Sequence, residues 1–165
     1  MNYKNKIYDY GDAKVFEIIE NWKKNGQKIV FTNGCFDLLH SGHIQYLNEA
    51  KEYGDKLVIG LNSDASVRRL KGKGRPVKSQ ECRADILASM SAVDLVIIFD
   101  EDTPLTLIGK ILPGVLVKGG DWKPQDIVGY DIVMKNGGEV KSLSFLDGYS
   151  TTAILKRAIN IDDAS

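Results

Sequence analysis

Histidine is scarce in this 165-residue chain, with only His40 and His43, and cysteine is equally rare, with only Cys35 and Cys82. Two cysteines without Cys-x-x-Cys spacing make no disulfide framework. Two histidines three residues apart, with no clustered third ligand, make a poor zinc site, so no metal held by protein side chains is expected. Charge of one sign is also missing: Lys plus Arg equal Asp plus Glu at 22 each. That balance argues against a dedicated nucleic-acid binder and leaves room for a site that takes one small polyanion. Apolar runs such as Leu95 to Phe99 are far too short to cross a bilayer, and the N-terminus lacks the apolar core of a signal peptide. The expectation is a cytoplasmic protein with neither membrane nor nucleic acid as partner. No internal repeat, linker or low-complexity segment interrupts the chain.

What is present is an ordinary globular composition, 43% hydrophobic and 27% charged, at a length that fits one domain. Val15, Phe16, Ile18, Ile19 and Trp22 mark one face of a helix ending near Asn25-Gly26, so residues 1–27 read as a helical extension. From Lys28 the pattern alternates. Strands are predicted at residues 28–33, 56–61, 94–99, 115–118 and 139–143, and helices at 42–53, 79–91, 103–112, 125–136 and 150–159. Thr103-Pro104 reads as a helix N-cap and first-turn pair, and Ser150 or Thr151 as another N-cap. The alternation predicts an α/β domain over residues 28–159: a doubly wound parallel sheet of five strands with helices on both faces, Rossmann-like in plan. The polar, acidic tail at 160–165 is expected to fray.

The densest stretch runs from Ile29 to His43. Its apolar start ends in Asn33-Gly34, and Ile44, Leu47 and Ala50 carry helical spacing beyond it. Strand, glycine turn and helix start form an anion-binding corner, because unpaired N–H groups and the positive end of the helix dipole point the same way. Both histidines fall there in one His-x-Gly-His unit, where two donors can reach a single phosphoryl group. Ligands on such sheets bind at the carboxyl ends of strands where the strand order reverses. Further on, Arg68, Arg69, Lys71, Lys73, Arg75 and Lys78 form a basic run between glycines, read as a loop that folds over phosphates. Gly119-Gly120-Asp121-Trp122 ends a strand with backbone room, an acid and a ring.

The run Gly34-Cys35-Phe36-Asp37-Leu38-Leu39-His40-Ser41-Gly42-His43 resembles the Gly-x-Phe-Asp-x-x-His-x-Gly-His signature of the cytidylyltransferase-like nucleotidyltransferases. The resemblance implies a catalytic set of His40, His43 and Lys71, with the histidines on the α-phosphate of a nucleotide. It implies nucleotide contacts from Thr32, Asn33, Gly34, Cys35, Phe36 and Asp37, from Gly119, Asp121 and Trp122, and from a second helix start at Gly148, Tyr149, Ser150, Thr151 and Thr152. Cys35 occupies a variable position of the signature and reads as a packing residue rather than a thiol nucleophile. Arg83 matches an arginine that braces the loop or a phosphate; an exposed helical arginine is the other reading. Mg²⁺ would ride on the nucleotide phosphates.

Most of the stretch from Lys28 to Arg157 is similar to the adenylyltransferase domain of the bifunctional heptose kinase/adenylyltransferases. Val67-Arg68-Arg69-Leu70-Lys71-Gly72, Lys118-Gly119-Gly120-Asp121 and Gly148-Tyr149-Ser150-Thr151-Thr152 carry this similarity. It implies ATP and a sugar 1-phosphate, D-glycero-β-D-manno-heptose 1-phosphate, as substrates, with ADP-heptose and pyrophosphate as products. A separate upstream heptose kinase and a homo-oligomer, most simply a dimer, are expected with it. A glycerol-3-phosphate cytidylyltransferase is the alternative, but that form carries Arg-Thr-Glu where this chain has Phe145-Leu146-Asp147. An inert nucleotide-binding module is the alternative from another class, and retention of both histidines and Lys71 speaks against it.

Overall fold

Apolar residues in these strands have to be buried on both sides, and the chain achieves this by placing a layer of helices on each face of one sheet. The computed structural model describes residues 2–144. Six strands form the sheet: β1 (Ile7–Asp9), β2 (Ile29–Gly34), β3 (Lys56–Asn62), β4 (Leu95–Phe99), β5 (Val115–Gly119) and β6 (Glu139–Leu143). Their order is β1-β4-β3-β2-β5-β6, and every neighbouring pair is parallel. From β2 the chain moves outward through β3 and β4, then returns to the other side of β2 for β5 and β6. Strand order therefore reverses between β2 and β5, and a crevice opens outside their carboxyl ends.

Among the described residues, five helices of seven or more residues and one shorter helix cover the sheet: α1 (Ala13–Lys24), α2 (Ser41–Lys51), α3 (Asp64–Lys71), α4 (Gln80–Ser89), α5 (Leu105–Ile111) and α6 (Tyr130–Lys135). Successive strand residues point to opposite faces. Val30, Leu57, Ile59, Leu61, Val96 and Val117 meet α2 and α4 through Tyr46, Leu47 and Leu87. Ile29, Phe31, Val58, Ile97 and Leu116 meet α1, α5 and α6 through Ile19, Ile108 and Val133. At Gly60 this second layer packs directly on the backbone, because a Cβ there would stand 2.8 Å from the Phe31 ring. Among the described residues no helix is long and apolar enough to cross a membrane.

The sixth strand corrects the expected count of five. Ile7-Tyr8-Asp9 is too short to show a period of its own, and its strand conformation comes from pairing with Val96, Ile97 and Ile98 of β4. The N-terminal segment thus supplies an edge strand as well as α1, whose Asp12 side chain accepts the Lys14 N–H. A second difference is α3. Part of the basic run expected as a loop is helical, with Ser63 accepting the Ser66 N–H at its start and Arg68, Arg69 and Lys71 at the negative end of its dipole. At Thr103-Pro104 the expected cap does not form: α5 begins at Leu105 without a side-chain cap hydrogen bond. The helix expected at 125–136 is split by Gly129, at φ +93°, into a 3₁₀ turn Pro124–Asp126 and α6. The helix at 150–159, its N-cap and the tail lie outside the described residues.

Candidate active site

β2 delivers Asn33-Gly34 to the crevice, and the next residues set the turn. A Cβ on Gly34 would come within 3.1 Å of the Phe36 ring, so the glycine makes room for the ring to fold back. Phe36 itself has φ +46°, in the left-handed region, at a cost on the order of 1–3 kcal/mol. Burial of its side chain and contact with His43, at 5.6 Å between ring centroids, hold it there. α2 then starts with His40 as its extended N-cap residue, and the His43 N–H donates to the His40 carbonyl at 2.9 Å. The two imidazoles lie 4.0 Å apart between centroids.

Burial pushes the His43 imidazole down to about 4, with His40 adding to the shift, and burial also lowers His40. Both rings are therefore neutral at pH 7 in the free protein and act as hydrogen-bond donors rather than fixed charges. The shift sets a pH dependence for stability. An unfolded histidine titrates near 6.5, so below that pH the unfolded chain takes up a proton that folded His43 refuses. Stability is present above about pH 6.5 and is lost as pH falls towards the folded value. Urea midpoints measured at pH 7 and pH 5 should fall less in His43→Gln than in the wild type; an equal fall would assign the loss to other groups.

Two buried side chains fasten the turn to its surroundings. Asp37 Oδ2 accepts Arg75 Nε at 2.6 Å, and Oδ1 accepts the backbone N–H groups of Val77 and Lys78 at 2.8 and 3.1 Å. Burial raises the Asp37 pKa, but the Lys78 N–H, Arg75 and the Val77 N–H outweigh it and leave the carboxyl below its usual range. Arg83 is fully buried. It donates to the carbonyls of Cys35, Asn62 and Lys78 at 2.6, 2.9 and 3.1 Å, and pairs with Asp64 at 2.7 Å. One guanidinium thus ties together the signature turn, the end of β3, the start of α3 and the loop before α4. The exposed-arginine reading is excluded, and the bracing one describes what this side chain does.

A cleft of about 590 Å³ lies above the turn, within the usual range for a small-molecule site. Of the residues singled out in the sequence, Asn33, Gly34, Cys35, Phe36, Asp37, His43, Lys71, Gly119 and Trp122 line it. Thr32 lies beneath it, its hydroxyl paired with the Tyr46 hydroxyl at 2.6 Å. His40 and the fully buried Arg83 are not among the lining residues, and Asp121 is exposed beside the cleft, accepting the Ser144 hydroxyl at 3.4 Å. Gly148, Tyr149, Ser150, Thr151 and Thr152 lie outside the described residues. Burial raises the Cys35 thiol, which keeps it protonated and suits packing. The turn after β5 is pinned to β6: Gly120 N–H donates to Leu143 O at 2.8 Å and Trp122 N–H to Ser142 Oγ at 3.1 Å. Half-exposed Trp122 caps its own strand end, its indole N–H donating to Gly119 O at 3.1 Å.

The cleft also holds residues that sequence reasoning passed over. Lys118 stands in the sequence beside the glycines of a strand end, and a charge inside a buried parallel strand is itself a signal. Arg75 was hidden among six positive charges. Leu70, Ile127 and Val128 form an apolar wall that only the folded chain assembles.

A cleft at the switch point of a doubly wound parallel sheet, with a helix start and three basic side chains facing it, belongs to the α/β nucleotide-binding proteins. The chain is a member of the cytidylyltransferase-like family, whose sequence model matches residues 31–157. It is 59% identical over 142 residues to the bifunctional protein HldE of Geobacter metallireducens, covering 86% of this chain and 29% of that protein. It is 57% identical over 141 residues to the bifunctional protein HldE of Wolinella succinogenes, covering 86% of this chain and 29% of that protein. The chain thus spans under a third of the length of these relatives. Among solved structures, the lipopolysaccharide core biosynthesis protein from Thermoplasma volcanium matches with a TM-score of 0.60 and 30% identity, over 76% of this chain and all of that one.

Proposed function

We propose that this chain transfers AMP from ATP to D-glycero-β-D-manno-heptose 1-phosphate, giving ADP-heptose and pyrophosphate. The observation that carries the reading is the neutral histidine pair at the start of α2, opening on a cleft with Lys71 at its rim. Its high identity to the bifunctional relatives and the lipopolysaccharide association of the structural neighbour support the choice of sugar. An oxygen of the acceptor phosphate bonds to the α-phosphorus, the bond from that phosphorus to the bridging oxygen breaks, and pyrophosphate leaves with the electron pair. A phosphate monoester has a second pKa of about 6, so the acceptor attacks as a dianion and needs no general base. The protein contributes position and charge: His43, with the His40 ring packed against it, donates to the α-phosphate as charge gathers there, and Lys71 neutralises the phosphates beyond it.

Mg²⁺ would accompany the nucleotide and neutralise its phosphates. Among the described residues no group of three His, Cys, Asp or Glu side chains can hold an ion, and Asp37 in the cleft is already engaged by Arg75. That donor set fits an ion carried on phosphate and water oxygens rather than a protein cage.

Selective nucleotide binding tests this reading. ATP at about 100 times its Kd should stabilise the fold by about 2.7 kcal/mol, raising Tm by roughly 5–10 °C. CTP and GTP at the same concentration should raise it less, and an equal shift with CTP would contradict the adenylyl assignment. The two neighbouring lysines should also separate. Lys71 lines the cleft and Lys73 does not. Lys71→Ala should lower kcat/KM on the order of 100-fold, whereas Lys73→Ala should alter only the salt dependence of binding. Equal, mild effects would return the basic run to a solvated surface.

A further inference from the structure

Three cationic side chains line the cleft among the described residues: Lys71, Arg75 and Lys118. Arg75 is committed to Asp37 at 2.6 Å. Lys71 is exposed at the end of α3, whereas Lys118 is half-buried as the penultimate residue of strand β5, and no carboxylate among the described residues pairs with it. Burial and the nearby charge of Lys71 push its ammonium down. An ammonium held out of water without a counter-charge is costly, and a mobile anion is what would match it.

Placement indicates which anion. In the sheet β3 and β5 flank β2 on opposite sides, and α3 follows β3. Lys71 and Lys118 therefore reach the signature turn from opposite sides, and Cys35 in that turn feels both charges. Displacement at phosphorus proceeds roughly in line, so the incoming and departing groups also lie on opposite sides of the reacting atom. Lys71 serves the nucleotide phosphates in the function proposed above. The α-phosphate carries one charge and has the histidines, which leaves the acceptor's terminal dianion as the group without a cation.

We infer that Lys118 binds the phosphate of the acceptor, a sugar phosphate monoester, and holds it as the dianion facing the α-phosphorus. The inference rests on the nucleotidyltransferase reading and names the second substrate's anchor within that same cleft. It assigns Lys118 to acceptor recognition and leaves nucleotide binding to other residues.

The test is Lys118→Met in the full chain, with pyrophosphate release followed against each substrate in turn. KM for heptose 1-phosphate should rise about 10- to 100-fold, as expected for loss of a charged hydrogen-bond partner, with KM for ATP within about twofold of wild type. Lys118→Arg should recover most of the loss, and Lys118→Gln serves as the charge-removing variant if the Met variant does not fold. ³¹P NMR gives a readout that a structural role would not move: with a non-hydrolysable ATP analogue bound, the wild type should lower the second pKa of the bound monoester, and the variant should not. An unchanged acceptor KM, or a parallel fall in ATP affinity, overturns the inference. Absence of pyrophosphate release by the wild type with ATP and heptose 1-phosphate defeats the underlying reading instead, so the two failures are distinct.

Discussion

His43→Ala should lower kcat by about 10²- to 10⁴-fold while nucleotide affinity changes only a few-fold. The reason lies in when the donor is needed. In the free protein His43 is neutral, held down by burial and by His40, so it offers the ground-state nucleotide a hydrogen bond rather than a charge. As the α-phosphate becomes five-coordinate its oxygens gather negative charge, and a donor fixed there before the reaction gains most at that moment. His43 is fixed from three directions: its place in the first turn of α2, the Phe36 ring and the His40 ring. His40→Ala should give a smaller drop, because His40 is not among the residues that line the cleft and acts partly through the His43 ring it packs against. Loss of nucleotide affinity matching the loss of kcat would show that the histidines bind the ground state equally, and near-normal turnover in His43→Ala would remove it from the chemistry.

Arg83→Met should cost stability as well as activity. The substitution keeps an apolar stem of similar length but removes every donor that reaches Cys35 O, Asn62 O and Lys78 O, and it strands the Asp64 carboxylate. Breaking a buried pair by deleting one partner costs roughly 3–5 kcal/mol, and partial solvent access at Asp64 places this case towards the lower end. For a chain of this size that corresponds to a fall in Tm of about 6–12 °C. Because the guanidinium joins the signature turn to the loop that carries Arg75, catalysis should fall even in the fraction that remains folded. A variant with unchanged Tm and lost activity would contradict the bracing role and make Arg83 a phosphate ligand.

Much of this arrangement was legible because its signals are local. Ile29 to Asn33 and Leu95 to Phe99 announce buried strands through β-branched and aromatic runs, and the alternation of strand and helix requires a parallel sheet. The ten-residue signature placed the histidines at a helix start, where they are. What escaped depends on contacts distant in sequence. β1 is a strand only because β4 offers it an edge, and three residues hold no readable period. Gly129 breaks a helical pattern through its backbone angle and its close fit against Ile108, neither of which periodicity registers. The family resemblance marks Asp37 and Thr32 as nucleotide contacts; in the fold Asp37 lines the cleft with its carboxylate engaged by Arg75, and the Thr32 hydroxyl pairs with Tyr46 beneath it. A motif marks residues as a group without separating those that touch a ligand from those that shape the turn. Lys118 shows the converse, a lining residue whose signal, a charge inside a buried strand, lies outside the ten-residue signature.

Pyrophosphate release by the wild-type chain with ATP and a panel of acceptors tests the central claim most directly. Heptose 1-phosphate should support steady release with stoichiometric ADP-heptose, whereas free heptose, heptose 7-phosphate and the pair CTP with glycerol 3-phosphate should support none. ADP formed from free heptose, or CDP-glycerol formed from CTP, would contradict the account.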